Sequence, residues 1–182
     1  ALEVSKENLA DSFNGVLLVS TVLVVSFLGL YYSGEILIKK AEKSSYTKPV
    51  AIGLMIAIGI GLHNFGEGLA IGAAVGLGQV ALSTFLIVGF TLHNTTEGLA
   101  IAAPMAKEKP MIGKLVIMGI IAGSPAIFGA WLGGFAYSPF AAVVFLSIGA
   151  GAIFQVVIII IKWLQEEGNK QLSSAAVLAG IS

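Results

Sequence analysis

The chain has 182 residues, of which 57% are hydrophobic and 11% charged, and its formal net charge is zero. Soluble domains average roughly 45–50% apolar and about 25% charged residues, so this composition indicates a membrane protein and not a soluble globular domain. The lack of cysteine excludes disulfides and thiolate metal ligands. The net charge of zero says nothing about partners, and we expect no nucleic-acid partner.

Five long apolar stretches follow one another along the chain. They cover residues 14–37, 50–75, 80–105, 111–135 and 140–163. Because about 20 apolar residues cross a bilayer as a helix, they predict an all-α, polytopic transmembrane bundle with at least five spanning helices. We expect one transmembrane domain over residues 1–182. The polar, acidic residues 1–11 do not resemble a secretory signal.

The lysines indicate how the bundle is oriented. Beyond the first stretch they fall on alternate connections, at Lys39, Lys40, Lys43 and Lys48, at Lys107, Lys109 and Lys114, and at Lys162 and Lys170. The connections at residues 76–79 and 137–139 carry none. The positive-inside rule therefore predicts cytoplasmic lysine connections and an N-terminus outside. We expect a multi-pass protein of the cell membrane (plasma or inner).

The end of the chain becomes apolar again. Residues 172–181 read LSSAAVLAGI and follow a polar segment. This pattern predicts the first turns of a sixth helix, and we expect the sequence to be a fragment of a longer chain.

One ten-residue motif occurs twice. Residues 62–71 read LHNFGEGLAI and residues 92–101 read LHNTTEGLAI, and the copies contain both histidines of the chain. Histidine and glutamate four residues apart lie on one helix face, so each copy presents an imidazole and a carboxylate together. A turn at residues 76–79 would make the two helices antiparallel and place both pairs at similar depth, about 22 Å from the turn.

These paired groups predict a metal site inside the membrane. Two carboxylates in one dry site repel each other unless protons or a cation intervene. A divalent cation neutralises both charges, and neutral imidazoles complete a tetrahedral nitrogen and oxygen set. Purely structural hydrogen bonding between helices is the alternative, and it suits a lone histidine better than two matched pairs. The predicted site residues are His63, Asn64, Glu67, His93, Asn94 and Glu97, with the asparagines as ligands or as hydrogen-bond partners of ligands.

Other polar and small residues have simpler interpretations. Gly68, Gly72 and Gly76 form a small-residue stripe that predicts close helix packing. Gln155, in the fifth stretch, is expected to hydrogen-bond between helices. The chain has no GxxxxGK[ST] motif for ATP and no HExxH motif for zinc proteolysis. We expect a protein that is not an enzyme, with a membrane-embedded metal-dependent enzyme or a passive metal channel as alternatives.

At its two motifs the sequence resembles the ZIP (Zrt-, Irt-like protein) family of divalent metal transporters, which carries HNxPEG-type motifs on its fourth and fifth helices. The corresponding residues read HNFGEG at 63–68 and HNTTEG at 93–98. The five stretches look like family helices three to seven, and the tail looks like the start of the eighth. The resemblance implies import of Zn²⁺, or of Fe²⁺, Mn²⁺ or Cd²⁺, into the cytoplasm as transported substrate. It also implies that the second to fourth stretches move against a scaffold that can form a homodimer.

The sequence departs from this family at three positions. Gly66 and Thr96 replace the proline that precedes each motif glutamate. Thr96 can instead bond back to a helix carbonyl and bend its helix mildly. Where the family often has a glutamate before a proline on its sixth helix, this chain has Ser124 and Pro125. A second metal position would therefore lack a carboxylate.

Overall fold

The computed structural model describes residues 13–43, 47–107, 112–136 and 138–178. These residues are almost entirely helical and contain no strand, which confirms the all-α prediction. The helices are α1 (Phe13–Glu42), α2 (Lys48–Gly76), α3 (Val80–Ala102), α4 (Ile112–Phe135) and α5 (Pro139–Leu178), and a 3-10 turn (Ala103–Met105) extends α3. The acidic segment 1–11, Lys109 and residues 179–182 lie outside the described residues.

Four of the helices are long and apolar enough to cross a membrane, which supports a multi-pass membrane protein. The spans are Gly15–Lys40, Lys48–Gly76, Ile112–Phe135 and Pro139–Asn169. The predicted fifth span, α3, has 23 residues, equivalent to about 35 Å of helix. Helix α3 carries the second copy of the motif. The polar side chains of His93, Asn94 and Glu97 make α3 too polar to count as a spanning helix by composition.

Helix α5 is longer than the sequence predicts. It continues from Pro139 to Leu178 without interruption, well beyond Trp163. The polar segment at 164–171 contains glutamate, glutamine and lysine, which are good helix formers, and no proline that would end the helix. The apolar residues 172–178 therefore belong to α5 and do not begin a separate sixth helix.

Helix α2 lies at the centre of the bundle. In the most apolar 18-residue segment of α2, 67% of the residues are buried, compared with 17% in the corresponding segment of α4 and 0% in that of α1. Its apolar side chains form the main core with residues from α3, α4, α5 and the 3-10 turn. They are Val50, Ile52, Ile56, Ala57 and Ile60, packed with Ile101, Met105, Met118, Ala122 and Val156. The first copy of the repeat is thus carried by the most enclosed helix.

Glycines bring α2 and α4 into backbone contact. A β-carbon added at Gly68 or Gly72 would collide with a carbonyl of α4, and one added at Gly129 or Gly133 would collide with a carbonyl of α2. Only residues without a side chain allow this approach, as in small-residue packing of transmembrane helices. The predicted packing role of the stripe that ends at Gly76 is confirmed.

The lysine-bearing connections lie at one end of the bundle. Lys48, at the start of α2, pairs with Glu166 of α5 at 2.9 Å, and Lys107, after α3, pairs with the adjacent Glu167. At the opposite end, Gly76 lies against the backbone of Gly134. The connections with lysines and those without lysines therefore lie at opposite ends of the bundle. The positive-inside rule predicts that the lysine end faces the cytoplasm.

Single cysteines at position 43 and at position 79 test this orientation, because the natural chain contains no cysteine. Lys43 and Gln79 are both exposed and lie at opposite ends. A membrane-impermeant thiol reagent added to intact cells should label the cysteine at 79 and should reach the one at 43 only after permeabilisation. Labelling of position 43 alone in intact cells would reverse the assignment.

Candidate metal site within the bundle

The two copies of the repeat meet because α2 and α3 form a tight antiparallel hairpin. Helix α2 ends at Gly76 and α3 begins at Val80. Gly78 makes the turn with a φ of 69°, in the left-handed region that glycine adopts without steric cost. As the spacing predicts, the rings of His63 and His93 lie side by side, with 6.4 Å between their centroids.

The carboxylate of Glu67 lies between the two imidazoles. Its Oε1 atom is 3.2 Å from Nε2 of His63 and 2.7 Å from Nε2 of His93. Glu67 is only 7% exposed. The ligand atoms of these three residues all lie within 4.8 Å of one another. Because ligand bonds to zinc are about 2.0–2.2 Å long, small side-chain adjustments would place all three atoms around one ion.

Glu97 lies beside this group and not within it. Its Oε1 is 3.9 Å from Nε2 of His93. Its Oε2 is buried and has no hydrogen-bond partner among the described residues. The predicted symmetry of two equivalent His/Glu pairs is therefore absent: Glu67 serves both histidines, and Glu97 adds a second, less constrained carboxylate.

Both asparagines contribute buried oxygen atoms. Asn64 donates its side-chain amide to the carbonyl of Ala122 in α4 at 3.1 Å, which fixes the orientation of the amide. The Oδ1 atoms of Asn64 and Asn94 are buried and have no hydrogen-bond partner in the described part of the chain. Buried acceptors without donors are unfavourable. A cation could satisfy such acceptors, as it could the buried Oε2 of Glu97, which also lacks a hydrogen-bond partner among the described residues.

Two supporting contacts come from α5 and could not be assigned from the sequence. A β-carbon at Gly149 would lie 3.3 Å from Cα of His63, so α5 runs directly against the motif. Phe145 stacks edge-to-face on Phe65 of the first motif, with ring centroids 4.9 Å apart. The small residues 149–152 of α5 predict a close helix approach, but they do not show which helix comes near.

The positions that differ from the ZIP pattern have clear local roles. Thr96 donates its hydroxyl to the carbonyl of His93 at 2.6 Å, which is the predicted back-bond. Pro125 lies inside α4 and has no N–H for the carbonyl of Ile121. That carbonyl faces Gly61 of α2, where a β-carbon would be 2.5 Å away. Ser124 is half-buried in α4 and supplies no carboxylate.

Comparison of the chain with protein-family models, curated proteins and solved structures finds no match in any of the three. The function of the site is therefore inferred from the chemistry of its own residues. Two imidazoles and the carboxylate of Glu67 converge between two helices of a membrane bundle, and the carboxylate of Glu97 lies beside them. This donor set contains nitrogen and oxygen but no sulfur, and it fits Zn²⁺ and related divalent cations.

Proposed function

We propose that the protein is a ZIP-like carrier that moves divalent transition-metal ions, Zn²⁺ above all, through the site around Glu67 into the cytoplasm. The observation that carries this proposal is the carboxylate of Glu67, shared by His63 and His93 from two antiparallel helices. A buried ionisable residue in a membrane helix is expensive and marks an ion pathway by default. Fe²⁺, Mn²⁺ and Cd²⁺ are further substrates that this donor set can hold.

Charge balance supports a divalent ion. Glu67 and Glu97 can contribute two negative charges, which one M²⁺ neutralises without any further counterion. Without the ion, two nearby carboxylates favour protonation of at least one of them. Metal entry then displaces protons, since metal ligands must be deprotonated, and binding strengthens as the pH rises.

The unequal packing of the two helices supports movement of the ion over static storage. Only Ser83 and Ile101 are buried in α3, whereas α2 is buried along most of its length. Half of the site thus belongs to a loosely packed helix, and the His93 side chain is 41% exposed. A shift of α3 relative to α2 would change access to the ion while the ligands of α2 retain it.

Several finer points belong to the same proposal. We place the protein in the plasma or inner membrane with its N-terminus outside and its lysine end in the cytoplasm. By resemblance to the family, α3 would be a fifth span, α2 to α4 would move as a unit, and α1 and α5 would form a scaffold that can dimerise. If both carboxylates at the site bind the ion, a membrane-embedded hydrolase would lack a separate general base.

Uptake of zinc by liposomes that contain the purified protein tests the proposal. We expect influx of Zn²⁺, reported by a trapped fluorescent indicator, to saturate with external concentration and to be inhibited by Cd²⁺. Mg²⁺ and Ca²⁺ should not compete, because these ions prefer all-oxygen sites. Liposomes with a His63→Ala/His93→Ala double variant are the matched control. Flux that rises linearly without saturation would indicate a channel, and flux equal to the control would refute transport.

A further inference from the structure

One amide in α5 is fully buried without a partner. Gln155 is 0% exposed, and neither its Oε1 nor its Nε2 atom has a hydrogen-bond partner among the described residues. The interhelical hydrogen bond that the sequence predicts for this residue is therefore not formed. A buried amide left unpaired is unfavourable, so its presence in an otherwise apolar core needs an explanation.

The surrounding helices leave space for this amide. A β-carbon added at Gly59 of α2 would lie 2.8 Å from Oε1, and one added at Gly34 of α1 would lie 3.5 Å from Nε2. A side chain at Gly59 would therefore displace the oxygen. Apolar packing alone would favour a leucine or methionine at position 155 and side chains at the two glycines.

Gln155 lies at the same α2–α5 interface as the metal site, but closer to the lysine end. Glu67, His63 and Gly59 are successive residues four apart, so they share one face of α2, with a rise of about 6 Å per step. On α5, Gly149 contacts His63, and Gln155 lies about 9 Å further along the helix. The direction from His63 to Gly59 and from Gly149 to Gln155 leads towards the lysine end.

A cavity lies at that end, beyond the amide. It has a volume of about 260 Å³ and is lined by residues of α1, α2 and α5, among them Gly34, Ile52, Glu35 and Glu166. Because Gly34 has no side chain, the amide of Gln155 lies directly behind the cavity wall. Glu35 and Glu166 pair with Lys162 and Lys48, at 2.9 Å each.

We propose that Oε1 of Gln155 is a relay ligand for the divalent cation as it passes from the His/Glu site to this cavity along the α2–α5 interface. The inference rests on the proposed transport function. A neutral amide oxygen binds a cation more weakly than a carboxylate does. Conduction needs intermediate positions that attract an ion without retaining it, so a weak oxygen ligand suits this place. In the cavity, the carboxylates of Glu35 and Glu166 can then release their lysine partners and bind the ion instead.

Gln155→Leu separates this role from packing. We expect zinc binding at the His/Glu site to change less than about twofold, while maximal flux falls at least about tenfold. The melting temperature should stay equal or rise, because an unpaired polar group has been removed. Ser147→Ala, which removes another buried polar group from α5, is the matched control and should leave flux normal. Normal flux with Gln155→Leu would show that the residue only fills space.

Two further variants make the outcome decisive. If Gln155→Leu fails to fold, Gln155→Met preserves length and should give the same loss of flux with intact binding; normal flux would overturn the relay. Comparison with Glu67→Gln distinguishes the two proposals. Loss of flux in Glu67→Gln but not at position 155 would refute the relay alone, whereas normal flux in both variants would refute transport through the site.

Discussion

Replacing Glu67 with glutamine is expected to weaken zinc binding by about a hundredfold or more, which corresponds to roughly 3 kcal/mol or more. The change preserves shape but removes the one carboxylate that approaches both imidazoles, at 3.2 and 2.7 Å. The remaining site would hold a divalent ion with a single negative charge. Zinc affinity by competition with a chelator, and zinc flux at matched expression, would measure the loss.

The same substitution at Glu97 is the internal control for this result. Glu97 occupies the equivalent motif position, but its Oε1 is 3.9 Å from the nearer imidazole and it is not shared. We expect a smaller loss, about tenfold, so that the two motif copies are unequal. Equal losses would mean that Glu97 moves into the ligand set when metal binds. Near-normal flux in both variants would reduce the repeat to a packing element.

Replacing Gly72 with leucine is expected to prevent α2 from packing on α4. A β-carbon there would collide with the carbonyl of Ala130, and a backbone atom cannot move aside as the end of a flexible side chain can. Overpacking of side chains costs about 1–3 kcal/mol, and backbone overlap should exceed this range. We expect a large fall in the detergent melting temperature and loss of a monodisperse peak.

Gly123→Leu in α4 is the matched control for the packing prediction. No atom lies within 4 Å of a β-carbon added at Gly123, so the side chain would extend into open space. Leucine is also a better helix former than glycine by roughly 0.8–1 kcal/mol. The melting temperature should stay the same or rise slightly. Equal melting temperatures for the two variants would show that the α2–α4 contact is not essential.

The spacing of the two motif copies predicted that they lie close together. The packing of the surrounding helices explains why one copy is more buried than the other. His63 and His93 are equidistant from Gly78, so any tight hairpin brings them together. Which copy is enclosed depends on the helices that surround each one. Helix α2 carries glycines that admit α4 and α5, whereas the second motif has threonines at 95 and 96 and stays at the edge. A repeated motif cannot encode that difference by itself.

Other features depended on long-range contacts that a local pattern does not contain. The apolar pattern ends near Trp163, yet α5 continues, because its polar continuation contains no proline and the glutamates, glutamines and lysine on either side of Gly168 favour a helix. An amide such as Gln155 resembles any interhelical hydrogen-bonding residue until the atoms that face it are known. The glycines at 34 and 59, which face that amide, have no recognisable relation to it in the sequence.

The length of α5 has a mechanical consequence. Its 40 residues form a rod of about 60 Å, and adjacent glutamates on it bind Lys48, at the start of α2, and Lys107, after α3. Both ends of the α2–α3 hairpin, which carries the motifs, are thus attached to the same helix, α5. Each tether is a surface ion pair that contributes about 1 kcal/mol or less. Thermal energy can therefore open either of these ion pairs separately, while the other keeps one end of the hairpin attached to α5.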